Sequence, residues 1–321
     1  MTWTSVFPII LWALIVIPLT VLIWWKPPTI KLNGILAILG YALFNLLAYW
    51  IINWAILYYY LRFASLILIL LVSLRIIGEL SRRPFFPKGT GPVAGAAALL
   101  IVVVLLGFIT YPVVRSFSRT GDQVLLFFPL RTGLYVVSNA GNSLEGSSAS
   151  NNHYKSWPGS QVIGSESHAL AADVVEINIG GLMTNEIRIL PQSRFDYQIF
   201  TEDVHSPCYG EVVYVENGHP DADLGGETYG LGNYVVLKCV DFYITLGNLK
   251  NNSILVRPGF RTSLNTTIGQ VGSSGEYPIP HLHIHATKDG WKDGEGTPVS
   301  MIFDGAFAIN NFLTRNKMVL R

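Results

Sequence analysis

Long stretches near the start of this chain carry no charge. Residues 5–25 run for 21 positions without one, and a helix of about 20 residues crosses the roughly 30 Å hydrocarbon layer of a bilayer. No basic segment precedes this run and no small-residue cleavage site follows it, which argues for a membrane span rather than a removable leader. Residues 34–77 hold only Arg62 and Arg75 as charges. That is about twice the length one crossing needs, so a helical hairpin turning near Asn53 is expected. A fourth apolar run, 91–114, opens on Gly91-Pro92-Val93-Ala94-Gly95-Ala96-Ala97, small residues that let membrane helices pack closely. The pattern predicts four transmembrane helices, at about 5–25, 34–52, 55–77 and 91–114, in an all-α domain of residues 1–115.

After Arg115 the periodicity changes. Short β-type runs at 123–128, 133–137, 173–179, 211–216, 233–238, 241–246 and 253–256 are separated by Gly, Pro, Asn and Asp, with Gly218, Gly232 and Gly247 at expected turns. Helical periodicity returns only in about the last 20 residues. Residues 143–167 are rich in Ser, Asn and Gly and predict a long functional or disordered loop. The second domain, 116–321, is therefore expected to be all-β.

Composition sharpens this division. Half of the 321 residues are hydrophobic and 13% are charged, which excludes intrinsic disorder. The 22 Lys and Arg against 21 Asp and Glu leave no basic surplus for a nucleic-acid partner. Seven of those cations but only one acid, Glu79, fall within residues 1–112. The remaining 15 cations and 20 acids, with all seven histidines and both cysteines, fall after it. Lys26 and Lys31 lie between the first two spans, and Arg82, Arg83 and Lys88 between the third and fourth. Basic loops stay inside, so the N-terminus and the second domain are expected on the outer face of a cell membrane. Trp24-Trp25 suit an interfacial belt, and Tyr58-Tyr59-Tyr60 suit either a belt or packing within the bundle. The bundle is read as an anchor or as a site for a membrane-protein partner. Outside the cytoplasm Cys208 and Cys239 can form one disulfide, or stay as two buried thiols.

The densest chemical signal is Pro280-His281-Leu282-His283-Ile284-His285. Alternate residues of a strand share a face, so three imidazoles can converge without special folding. Zinc commonly takes neutral imidazole, and a catalytic zinc keeps about three protein ligands and an open position for water. Before this strand come Ser206-Pro207-Cys208-Tyr209-Gly210-Glu211-Val212-Val213, Gly232-Asn233-Tyr234-Val235-Val236-Leu237, Ser253-Ile254-Leu255-Val256-Arg257-Pro258-Gly259 and Gly269-Gln270-Val271-Gly272-Ser273-Ser274-Gly275.

In order and spacing these segments resemble the lysostaphin/LytM-type zinc endopeptidases, over about residues 173–286. The resemblance implies an antiparallel LytM-like β-sheet core within about 168–290. It implies His283 and Asp173 as zinc ligands and His281 as the catalytic histidine. The family's further ligand is a histidine four residues before the Asp, where this chain has Ala169. His168 and His153 are the alternatives for that ligand. Asn248 stands where the family's other catalytic histidine is usual, and an amide can donate to an oxyanion but cannot exchange a proton. His285 shares the strand face, as a support for the ligands or a structural residue. Glu276, Glu166, His205 and His219 are read as surface or structural groups, and the acidic run Asp221-Ala222-Asp223 with Glu227 lacks the spacing of a calcium loop. The implied function is a membrane-anchored zinc metallopeptidase that hydrolyses peptidoglycan stem or cross-bridge peptides. Its competitor is a degenerate domain of the same fold that binds cell wall or regulates another hydrolase.

Overall fold

The computed structural model describes residues 3–86, 89–118, 121–144, 165–187, 191, 193–223, 229–275, 277, 279–292, 295–304, 315 and 317–320. Two compact units emerge. One is helical, comprising Trp3–Trp54 and Tyr59–Val114, and the other is dominated by Arg115–Arg321.

Four helices build the first unit: α1 (Trp3–Trp25), α2 (Lys31–Ile51), α3 (Arg62–Leu80) and α4 (Thr90–Arg115). Each is long and apolar enough to cross a membrane. Leu14, Ile67, Leu70, Leu105 and Phe108 project outward in the exposed class, an arrangement that water penalises and lipid does not. An unpaired polar group costs several kcal/mol in hydrocarbon, and Asn45 faces inward with both ends of its amide paired. Asn45 is fully buried, accepts from the Trp12 indole at 3.2 Å and donates to the Tyr41 carbonyl at 2.9 Å. The third helix starts later than the apolar pattern suggests. After Asn53 the chain makes two short 3₁₀ turns, Trp54–Ile56 and Tyr59–Leu61. The Trp54 indole donates to the Ala48 carbonyl near the end of α2. Arg62 then donates to the Tyr59 hydroxyl at 2.9 Å, with its guanidinium 3.9 Å from the Tyr49 ring centre. Tyr59 is thus a packing residue of the bundle.

Thirteen strands are described in the second unit: β1 (Gln123–Phe127), β2 (Leu134–Ala140), β3 (Ala172–Ile177), β4 (Asp203–His205), β5 (Gly210–Glu216), β6 (Asn233–Lys238), β7 (Tyr243–Leu249), β8 (Arg261–Thr262), β9 (Thr267–Gln270), β10 (Leu282–Lys288), β11 (Thr297–Pro298), β12 (Ser300–Asp304) and β13 (Met318–Leu320). The main sheet is antiparallel, in the order β13-β2-β3-β10-β7-β6-β5-β8, with β11 also on β10. Two small ribbons, β1-β12 and β4-β9, flank it. Val174, Val235, Leu237, Ile244, Leu246, Leu282 and Ile284 supply one continuous apolar face. Gly232 turns into β6 with φ +64°, and a Cβ there would lie 2.5 Å from the Ser274 carbonyl carbon, so only glycine fits. Cys208 and Cys239 form a disulfide.

Two local expectations change. Residues 253–256 are not a ladder strand: Leu255 donates to the Ile268 carbonyl, while the Gln270 N–H is taken by the Ser253 hydroxyl instead of a backbone carbonyl. Near the C-terminus, where helical periodicity was expected, residues 318–320 form β13, and 305–314 lie outside the described residues. Most of the expected loop at 143–167 lies outside them too.

Away from the histidine strand, the Tyr135 hydroxyl donates to Glu202. Burial pushes the Glu202 carboxyl up to about 8 from its ordinary 4.5, against the opposing effect of that hydrogen bond. Between those two values the unfolded chain has released this proton and the folded chain still holds it. Stability therefore falls as pH rises through the window. Glu202→Gln is expected to flatten this fall, raising the melting temperature at pH 9 relative to pH 5 when both proteins are melted as full chains in detergent; parallel pH curves would contradict it.

Candidate metal and catalytic site

Strand register assembles this site. In β10, His283 sits opposite Asp173 of β3 on one side and Gly247 of β7 on the other. Leu282 and Ile284 point into the apolar core, so the alternation of the strand sends His281, His283 and His285 to the opposite face. A Cβ on Gly247 would lie 3.3 Å from the Leu231 carbonyl oxygen and in ordinary contact, 3.6 Å, with His283.

Asp173 Oδ1 lies 2.9 Å from His283 Nδ1 and 3.7 Å from His281 Nε2. The other face of the His283 ring is engaged as well, with Nε2 at 3.0 Å from His285 Nδ1. His168 stands on a short turn, Glu166–His168, which the Ser165 hydroxyl caps by accepting from the Ser167 N–H. The Ala169 carbonyl after it accepts from the Ser143 N–H and hydroxyl. Its ring centre falls 4.4 Å from that of His285 and 5.7 Å from that of His283. The structure thus brings together Asp173, His168, His281, His283 and His285. His153 and Glu276 lie outside the described residues.

For zinc the donor chemistry fits in part. Two ligands of a tetrahedral zinc with bonds of about 2.0–2.1 Å stand roughly 3.3 Å apart, and the Asp173–His283 pair approaches that spacing at 2.9 Å. Among the described residues no three His, Cys, Asp or Glu side chains are gathered closely enough to hold a metal. The His168 ring is tilted against that of His285, with 47° between their planes.

His281 Nδ1 lies 2.7 Å from the Ile279 carbonyl, which can only accept, so Nδ1 carries a proton, and Nε2 lies 3.7 Å from Asp173 Oδ1. Asn248 contributes differently from its expected part as an oxyanion donor. Its Nδ2 donates to the Gly272 carbonyl at 3.2 Å and to the His281 carbonyl at 2.9 Å, while Oδ1 accepts from the Gly275 N–H at 2.7 Å. Both amide protons are spent, and the 3.0 Å approach of Nδ2 to His281 Nδ1 is a contact between two donors. Asn248 is 2% exposed and has φ +60°, a conformation Asn tolerates better than most residues. It fastens the Gly272–Gly275 turn to the start of β10, holding His281 in place.

Two residues at the site carry no motif. Asn139 of β2 lies opposite Asp173, just after a register shift that follows Val137, and its Nδ2 donates to Asp173 Oδ2 at 3.2 Å. Arg315 Nη2 donates to Asn139 Oδ1 at 2.8 Å. Burial pulls the Arg315 pKa down to about 10 against the attraction of Asp173, which leaves the guanidinium charged at neutral pH. Only knowledge of the β2-β3 pairing could have singled them out.

Residues 194–300 match the family model of Peptidase family M23. The match covers about a third of the chain, and lysostaphin is among the similar solved structures. A zinc-containing peptidase from Vibrio cholerae is 17% identical, covering 54% of this chain and 37% of its own, with a TM-score of 0.32. The catalytic domain of lysostaphin from Staphylococcus simulans is 18% identical over 32% of this chain and 77% of its own, with a TM-score of 0.25. A chain of the SpoIIIAH and SpoIIQ complex is 16% identical over 54% of this chain and 95% of its own, with a TM-score of 0.33. This chain spans little more than a third of the length of the Vibrio protein. No curated protein matches. At such scores the likenesses carry none of the site chemistry.

Asn248→Asp removes both amide donors and sets a carboxylate against two carbonyls. Each buried group left unpaired costs about 1–3 kcal/mol, so a clear drop in melting temperature is expected; an unchanged melt would show that the amide is not the fastening.

Proposed function

We propose that this chain is a membrane-anchored zinc peptidase that hydrolyses peptide bonds of peptidoglycan on the outer face of a cell membrane. The observation that carries the reading is the Asp173 Oδ1–His283 Nδ1 pair with His281 Nε2 3.7 Å from the same carboxylate oxygen. The M23 match supports the reaction class, and the loop charges and the disulfide support the outer face.

Asp173, His283 and either His168 or His153 hold the metal in this reading. Zinc bound there supplies a water whose pKa is lowered toward about 7 and polarises the scissile carbonyl. The protein contributes orientation and proton handling. His283 would hold the metal through Nδ1, with its Nε2, 3.0 Å from His285 Nδ1, donating to that ring so that the tautomer is fixed. His281 holds its Nδ1 proton on Ile279 and receives or positions a proton at Nε2. Asn248 holds His281 without touching the substrate.

The arrangement of Asn248 favours a second reading, a domain that recognises cell-wall peptide without cutting it. With no free amide proton it leaves the oxyanion one donor short, and removal of such a donor commonly costs about 10²–10³-fold in rate.

Zinc content and the release of new amino termini from purified peptidoglycan separate the two. The full chain in detergent is expected to carry one zinc and to cleave, and His283→Ala to lose both. A zinc-free chain that binds cell wall without cutting it would refute the enzyme. His153→Ala and His168→Ala are expected to differ sharply in zinc retention, with only the ligand's replacement emptying the site; equal retention would exclude both as ligands.

A further inference from the structure

We propose that Arg315 is a positioning residue for the metal-binding carboxylate: it fixes the Asn139 amide so that Nδ2 holds Asp173 Oδ2 and Oδ1 alone is presented to the metal. The proposal rests on the zinc reading above and extends it to a residue with no motif.

An amide side chain can be turned by 180° at little cost in shape, and its neighbours decide which end faces which way. Here Asn139 is 7% exposed and lies between a cation and an anion. As placed, its oxygen accepts from Arg315 at 2.8 Å and its nitrogen donates to Asp173 Oδ2 at 3.2 Å. Turned over, it would set an NH₂ group against the guanidinium and an oxygen against the carboxylate, and both contacts would become repulsive. The guanidinium thus selects the one orientation that serves Asp173. The selected donor occupies Oδ2, leaving Oδ1 beside His283 Nδ1 and in reach of His281 Nε2.

Backbone structure keeps Arg315 in range. Its N–H donates to the Ala140 carbonyl, and the Lys317 carbonyl two residues on accepts from the Val137 N–H. Strand β13 then pairs with β2, bringing Met318 opposite Val136. Asn139 reaches the face of Asp173 through the irregularity after Val137, the kind of bulge that re-aims a side chain beside a functional group. Two separate segments thus place a cation and an amide in series behind one oxygen of Asp173.

Groups that orient a metal ligand from behind commonly change metal affinity by about 10–100-fold when removed. The test is a competitive zinc titration of the full chain in detergent, with a chromophoric chelator, for wild type, Arg315→Gln, Asn139→Leu and the double variant. Each single change is expected to weaken zinc binding by about 10–100-fold. The double variant should be no weaker than the worse single, because the two act in series. Arg315→Lys, which keeps a cation to select the amide orientation, should recover most of the loss. Melting of each metal-free protein is read alongside. A lowered metal-free melting temperature with wild-type zinc affinity would mean that Arg315 is merely structural, and would overturn the proposal. Losses that multiply in the double variant would overturn it too. If Arg315→Gln does not fold, Asn139→Leu carries the test with the same expected loss and the same overturning result. A wild type that binds no zinc defeats the functional reading itself, whereas zinc-binding wild type with unaffected variants defeats only the role given to Arg315.

Discussion

Everything at the candidate site depends on the register of one strand. Because β10 lies antiparallel between β3 and β7, His283 faces Asp173 across 110 positions of sequence, with Gly247 on the other side. Side chains alternate along a strand, so a slip of one residue would drive all three imidazoles into the apolar core and bring Leu282 and Ile284 out against the carboxylate. The core contacts of Leu282 and Ile284 therefore fix the chemistry on the opposite face, and the packing energy of one set holds the geometry of the other.

The two units sort their side chains in opposite ways. In the helices, apolar side chains turn outward and Asn45 and Arg62 turn inward to partners; in the β unit, apolar residues fill the interior and polar groups survive there only as networks. The Asp173 network is such a case: its oxygens are met by Asn139 and His283, and the neighbours of those residues are met in turn. Such pairing is what a buried polar cluster needs if it is not to be a liability.

Much of this was legible in the residues alone, and the failures have a common cause. Charge-free stretches gave the four apolar helices, since lipid leaves no alternative to a helix. Alternation gave most of the strands, together with the shared face of His281, His283 and His285. Asp173 emerged from its likeness to a known motif, and the β-sheet placed it beside them. The missing parts depend on partners remote in sequence. Residues 253–256 look like a strand, but a serine hydroxyl intercepts the ladder bond that would make them one. Asn248 reads as an available donor until the Gly272 and His281 carbonyls are brought to it. Arg315 and Asn139 belong to no periodic pattern, and they acquire meaning only when β13, β2 and β3 lie side by side.

The Cys208–Cys239 crosslink gives orientation a thermodynamic weight. It closes a loop across a separation of 31 residues, and a closure of that length stabilises a fold by about 3–4 kcal/mol, mainly by restricting the unfolded chain. A whole domain is worth about 5–15 kcal/mol. Under the proposed orientation, a chain inserted the other way round would meet a reducing solvent and forfeit that contribution, leaving its β unit open more often.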